Sequence, residues 1–494
     1  MLARKTALAG ALTVGARLAT RLLDLITMIV LARILLPTDF GLVAIAVSLV
    51  AVTDTVLELP LNQALLRLPT ITGPHYDTAF TLSVLRGVAL GVVLCAAAWP
   101  FAHFFADARL SWLVLFLALS PIARSLVSPC LAEYQQAMSF WRDFAIEVVG
   151  KLVAFTFAIL AALLTGSYWS IAIGTVVYSV AMTVASYVFA PYRPRFSLSE
   201  LAIFAGFLGW TSAAQVISAV NWQYERLLLG KLNTTAQLGL FTAASDIAGI
   251  PFLALFGPMQ RPMLAAFSTV RHDEGRLAQH YQTASAAVFA IGLPLLVGES
   301  LVAEPTIKLI LGDQWLHAVP ILQLLALGTV PALLAMPAIP LLMLFAETKR
   351  IFQRNLLELS VKFPLSLVAA IEYGFIGVAA ARFVSEMVAG CFCFMAVRRL
   401  LKLSIRQQCL NSWRSVVSCL FMVPAVLLCK SCFATNGGTA TAAANVIVSG
   451  SVGAIVYAAA MCGLWTLSRC PPGIEAMAVS AVSNLLQARR RRPA

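Results

Sequence analysis

Charged residues are scarce in this sequence: Asp, Glu, Lys and Arg make up 12% of its 494 residues, where a soluble protein carries roughly a quarter. With 60% hydrophobic residues beside them, a soluble fold would have far more apolar surface than it could bury, which excludes one large soluble enzyme. The same figures exclude a disordered chain, which would be poor in apolar residues. Histidine is also rare. The five present, His75, His103, His272, His280 and His317, read as loop or interfacial residues, so no metal centre is expected. Ten cysteines do not make a disulfide framework, because most, such as Cys391, Cys393, Cys419, Cys429 and Cys462, lie in apolar runs where Cys behaves as a small hydrophobe. The Cys391–Cys393 spacing fits neither a redox pair nor a zinc knuckle. No long outer loop and no nucleophile–base constellation is visible, so neither an enzyme nor a cofactor is expected.

What remains is an all-α polytopic membrane protein. Apolar windows between charges and turn residues predict about fourteen transmembrane helices, near 10–32, 41–64, 79–102, 110–131, 144–165, 168–190, 202–229, 237–256, 283–302, 318–345, 355–373, 375–397, 413–433 and 443–467. The first window follows Arg4 and Lys5 but is interrupted by Arg17, Arg21 and Asp24 and has no small-residue cleavage site, so it reads as a retained helix. Lys and Arg number 35 against 22 Asp and Glu, a net charge of +13. With the N-terminus in the cytoplasm, 22 of those 35 fall in cytoplasmic segments and five in outer loops. That bias predicts both termini inside and makes most of the excess topological, not a nucleic-acid footprint. Eight basic residues remain within or at the edges of spans, among them Arg86, Arg124, Lys151, Lys362 and Arg382. Charges at that depth cost several kcal/mol unless paired or wetted, so they are the functional suspects.

Two stretches of the chain echo each other. Arg33 follows a long apolar helix and Gly41-Leu42 begins eight positions later; Lys231 and Gly239-Leu240 repeat the arrangement at an offset of 198 residues. His75-Tyr76 and His280-Tyr281 form a second echo. Both halves start on the same side, so the expected organisation is two six-helix bundles in parallel repeat, 1–198 and 199–397. Two extra helices at 398–470 and a basic cytoplasmic tail at 471–494 complete it. Internal repeats with a site between lobes are a transporter pattern.

The chain also resembles the Wzx-type polysaccharide flippases, the polysaccharide transporter branch of the multidrug/oligosaccharidyl-lipid/polysaccharide exporter superfamily. The residues that carry the likeness are Leu31–Leu42, with Pro37-Thr38-Asp39-Phe40-Gly41 at its centre, Glu225–Lys231, Leu238–Phe241, Leu311–Pro320 and Gly374–Ala379. It covers about residues 5 to 400; Glu225 stands where the family pattern has Asp, with the charge kept. The resemblance implies two facing bundles, alternating access and a lipid-linked oligosaccharide as cargo in a bacterial inner membrane. Membrane lipids would surround it, and polymerase and export machinery of the same pathway would be further partners.

Arg17, Arg21 and Asp24 are spaced to share one face of the first helix. An internal pair is one reading; a wet cavity or anionic ligand is the other, and it accounts better for two arginines on one carboxylate. Arg86 and Arg124 would extend a cationic surface if they face inward, with a snorkelling position as the alternative. Arginine suits a polyprenyl-pyrophosphate, since its planar fork stays charged and donates two hydrogen bonds. At the 198-residue offset Arg17 aligns with Gln215 and Asp24 with Trp222. Thr211, Gln215, Ser218, Trp222 and Glu225 would then form a glycan-facing stripe on the seventh helix, or else pack it against neighbours. Asp54 and Glu58, at i and i+4 in the second span, read as counter-ions to Arg17 or Arg21, or as a coupling pair for an ion gradient. Lys151 reads as snorkelling, and Glu358 with Lys362 as a salt bridge. The competing functions on the same architecture are a lipid II flippase or a drug/cation antiporter; the latter would want an acid-dominated cavity.

Overall fold

The computed structural model describes residues 20, 22–137, 139, 141–205, 210–252, 256–433 and 438–468, with backbone alone at 67, 205, 210–215, 258 and 261. Helices account for nearly all of it, and no strand occurs among the described residues. The described chain forms two compact units, one holding residues up to Ala243 with Ala370–Phe375, the other Ala244–Ala369 and the residues from Ile376 on.

The first unit contains α1 (22–34), α2 (Pro37–Val56), α3 (Leu61–Arg67), α4 (Gly73–Phe105), α5 (Arg109–Leu117) and α6 (Leu119–Ser125). It continues with α7 (Leu131–Gln136), α8 (Trp141–Thr165), α9 (Trp169–Phe189), α10 (Leu201–Ala205), α11 (Trp210–Leu232) and the start of α12 (Thr235–Pro251). Side-chain size decides how closely its helices approach. Gly150, Ala158 and Ala162 form a buried small-residue stripe on α8, and a Cβ on Gly174 of α9 would lie 2.9 Å from that of Ala158. This is how helices associate in lipid, where burying apolar area gains little and close contact gains most.

The echo between Arg33–Leu42 and Lys231–Leu240 is visible atom by atom. Pro37 opens α2, and the Asp39 carboxylate accepts the Leu36 N–H at 3.1 Å. At the equivalent turn the Gln237 side chain accepts the Thr234 N–H at 3.3 Å. The two glycines then meet reciprocally: a Cβ on Gly41 would fall 1.8 Å from the Thr235 carbonyl oxygen, and one on Gly239 would fall 1.8 Å from that of Pro37. Residue i touching j while its equivalent touches the reverse is the signature of a local two-fold axis. The second echo is less deep. His75 accepts the Thr72 N–H at the start of α4, whereas His280 lies farther into its helix, α14 (Glu274–Leu301).

The second unit adds α13 (Gly257–Thr269), α14, α15 (Ala303–Ile310), α16 (Val319–Gly328), α17 (Ala332–Ala335), α18 (Ala338–Leu344), α19 (Thr348–Leu401), α20 (Ile405–Leu410), α21 (Trp413–Ser431) and α22 (Thr439–Leu467). Its core joins Phe256, Phe267 and Leu296 to Leu341, Val397 and Met422. Pro331 and Pro337 stand at the breaks that divide the expected tenth span into α16, α17 and α18, since Pro has no N–H for the helical ladder, and Pro340 lies in the first turn of α18. Helix α19 is an antiparallel hairpin. Gly374 has φ 59° and ψ −140°, and Arg354 touches Glu386 at 3.2 Å, whereas a straight helix would separate them by roughly 48 Å.

Nine helices among the described residues are long and apolar enough to cross a membrane, against the fourteen expected from the windows. The α19 hairpin is counted once there although it makes two passes. Of the shorter elements, α5 and α6 have 9 and 7 residues and α12 has 17, while α11 carries Glu225, Arg226 and Lys231. The outward faces are apolar, with Leu164, Val188, Leu428, Ile455 and Leu467 each at least 68% exposed. Large apolar side chains repeatedly turned outward are what a lipid solvent requires and water forbids.

Candidate substrate-binding site

In the first unit, the C-terminal end of α2 is held by two arginines from other helices. Asp54 Oδ1 accepts Arg86 Nη2 at 2.6 Å, and its Oδ2 accepts Arg124 Nη2. Arg86 also donates to the carbonyls of Asp54 and Leu57, both at 2.8 Å, so it caps a helix end whose last carbonyls lack partners. Ser125 packs directly on Gly87, which brings α6 against α4 and sets the two guanidinium groups side by side. Asp54 and Arg86 side chains are 19% exposed and Arg124 45%. The cluster therefore carries two positive charges on one carboxylate, with the second arginine facing outward.

Sequence reasoning named all three residues but paired Asp54 with Arg17 or Arg21, which lie outside the described residues. Glu58 is a correction: α2 ends at Val56, Pro60 precedes α3, and Glu58 is exposed in the break between them. The expected i, i+4 pairing of Asp54 and Glu58 on one helix face does not hold.

Asp24 meets a residue that had been read as snorkelling. Lys151 of α8 is only 14% exposed; it donates to Asp24 Oδ2 at 2.7 Å and to the Thr20 carbonyl at 3.2 Å, with Glu147 Oε1 at 3.5 Å. Burial in protein rather than lipid replaces the need to reach the interface.

Helix α11 forms where the polar stripe was expected. Trp222 is 52% exposed, Ser218 half-buried, and Glu225 buried beside Asn221. The side chains of Thr211 and Gln215 lie outside what is described. Gln223 ties the helix to α2 by accepting the Ser48 hydroxyl at 3.1 Å.

One cluster was missed. Arg354 had been placed in a cytoplasmic loop, yet it lies in helix α19 of the second unit with its side chain only 14% exposed. Its Nη1 meets Glu358 Oε2 at 2.9 Å and its Nη2 meets Glu386 Oε2 at 3.2 Å. Arg354, Glu358 and Lys362 follow one another at i, i+4, i+8, and that spacing was the available signal.

Outside the spans, Arg109 forks onto Asp107, with Nε at 3.0 Å from Oδ1 and Nη2 at 2.7 Å from Oδ2. Those bonds hold the Asp107 carboxyl below its usual range.

With this geometry in view, comparison with known proteins gives four findings. A family described as "Polysaccharide biosynthesis protein" matches residues 30–320. The chain is 25% identical over 404 residues to the lipopolysaccharide biosynthesis protein WzxC of Escherichia coli (strain K12), covering 79% of this chain and 80% of that one. It is 23% identical over 308 residues to the succinoglycan biosynthesis transport protein ExoT of Rhizobium meliloti (strain 1021), covering 62% of each. Among solved structures, an inward closed conformation of the lipid II flippase MurJ superposes with a TM-score of 0.75 at 16% identity, over 91% of this chain and 98% of that one. The shared feature there is the fold.

Proposed function

The chain belongs to the polysaccharide biosynthesis protein family, and from that premise we propose that it flips a polyprenyl-pyrophosphate-linked oligosaccharide repeat unit from the inner to the outer leaflet of a bacterial inner membrane. It is a multi-pass membrane transport protein and not an enzyme. The observation that carries the anionic cargo is the Asp54 cluster, where two guanidinium groups share one carboxylate and Arg124 stays 45% exposed. A phosphate oxygen approaching Arg124 competes with Asp54 Oδ2 for the same N–H groups. In a site partly stripped of water each such bond is stronger than in bulk solvent. Asp54 then holds the arginines in register between cargoes, and Arg86, tied to two backbone carbonyls, stays in place while Arg124 exchanges partners.

Arg17 and Arg21 would extend this cationic surface along the first helix beside Asp24. Gln215, Ser218 and Trp222 would offer hydrogen bonds and an aromatic platform to the sugars. We assign the phosphate-binding role to the six-helix lobe 1–198 and the glycan-facing role to lobe 199–397, which alternate access between leaflets. Segments 398–470 and 471–494 lie outside that cycle, and both termini are cytoplasmic. Polymerase and export proteins of the same pathway would receive the product.

The direct test is Arg124→Gln in the native host, with lipid-linked precursor measured by mass spectrometry of membrane extracts and polymer measured outside. Precursor should accumulate about tenfold or more while polymer falls, as expected when a charge-assisted contact is lost. Normal export by Arg124→Gln at wild-type protein level would remove the cluster from the cargo path.

A further inference from the structure

The open end of the α19 hairpin carries a groove outside the Asp54 cluster and in the other unit. Arg350, Gln353, Phe392, Met395, Ala396 and Arg399 line it around a volume of about 210 Å³. Arg350 is partly engaged, with Nε 3.2 Å from Glu347 Oε2. Arg399 is exposed and has no carboxylate partner among the described residues. The groove therefore holds about one uncompensated positive charge. Its walls are Phe392 and Met395, and beyond it both halves of the hairpin turn apolar side chains outward: Leu356 and Phe363 on one, Val384 and Met387 on the other. A basic pocket between spans, on helices that also expose apolar side chains, suits a molecule with an anionic head and acyl tails.

We infer that this groove is a headgroup site for an anionic phospholipid of the surrounding bilayer, with Arg350 and Arg399 on its phosphodiester. Gln353 donates its amide to the same phosphate, and the acyl chains run along the exposed stripe. One net positive charge matches a monoanionic phosphodiester and falls short of a pyrophosphate, which sets the occupant apart from the transported lipid. A bound lipid here would brace the two halves of the hairpin against each other at the end where no turn joins them.

The test uses the full-length protein in detergent, titrated with phosphatidylglycerol, phosphatidylethanolamine and farnesyl pyrophosphate and read by native mass spectrometry. Wild type should bind phosphatidylglycerol in preference to phosphatidylethanolamine. The double variant Arg350→Gln/Arg399→Gln should lose that preference, with phosphatidylglycerol binding weaker by roughly tenfold or more. Gln353→Glu, at an exposed position that leaves both arginines and the packing intact, should do the same by placing a carboxylate beside them. Equal affinity for the two phospholipids in wild type, or an unchanged preference in both variants, overturns the assignment. So does displacement of phosphatidylglycerol by farnesyl pyrophosphate at this site, which would hand the groove to the cargo headgroup. None of these outcomes touches the Asp54 cluster, so the two readings fail separately.

Discussion

Asp54 is the single carboxylate between Arg86 and Arg124, and its removal leaves two guanidinium groups facing each other. Asp54→Asn keeps the shape but loses the charge-assisted bonds, so the protein should be destabilised by about 1–3 kcal/mol. A lowered melting temperature in detergent checks this. Arg354 is a sharper case because it pairs with buried Glu358 and mostly buried Glu386. Arg354→Met removes the cation that Glu358 and Glu386 share, while Lys362 and Arg382 still act on Glu358, and should cost about 3 kcal/mol, enough to lower accumulation in membranes. Arg354→Lys should recover part of the yield, since a charge returns without the fork. Outside the membrane, the Asp107–Arg109 pair has a pH signature. The folded carboxyl titrates below its unfolded value, so its contribution is present above the unfolded range, near pH 4, and is lost as pH falls through the depressed folded value. The melting difference between wild type and Asp107→Asn should therefore exist at neutral pH and vanish on acidification; because Arg109 is exposed, it will be small.

Among the elements, the contact between the starts of α2 and α12 leaves no room for a side chain. Gly41→Ala and Gly239→Ala each drive a Cβ into a backbone carbonyl, and backbone cannot swing aside as a flexible side chain can. Each should destabilise by about 1–3 kcal/mol, and the two should be strongly non-additive because one displacement relieves both clashes. Thermal melting of the singles and the double decides it. The hairpin turn of α19 depends on another glycine, and Gly374→Ala at φ 59° and ψ −140° should cost about 1–3 kcal/mol. Where the windows at 355–373 and 375–397 separated two spans, the structure agrees, with the turn at Gly374. The end of α2 was not legible, since Leu57, Glu58 and Leu59 continue the second span's apolar window and only Pro60 marks the break.

For the whole molecule, the distribution of Lys and Arg predicts that the segment 398–412 faces the cytoplasm. Cys409 is exposed in α20, which gives a direct readout. In a variant retaining Cys409 alone, a membrane-impermeant maleimide should label inverted vesicles and leave intact spheroplasts unlabelled. Labelling of spheroplasts would reverse the orientation.

Composition and periodicity alone determined that this chain is a multi-pass membrane protein and that Arg33–Leu42 and Lys231–Leu240 echo each other. Those properties are sums over many residues, or repeat at fixed spacing, and survive without knowledge of neighbours. Pairing of the few embedded charges was decided only by the tertiary structure. Asp54 found Arg86 and Arg124, Lys151 found Asp24 instead of the interface, and Arg354 found Glu386 across a hairpin. A salt bridge depends on distances between helices far apart in sequence, and those distances are set by where glycine and alanine let the helices touch.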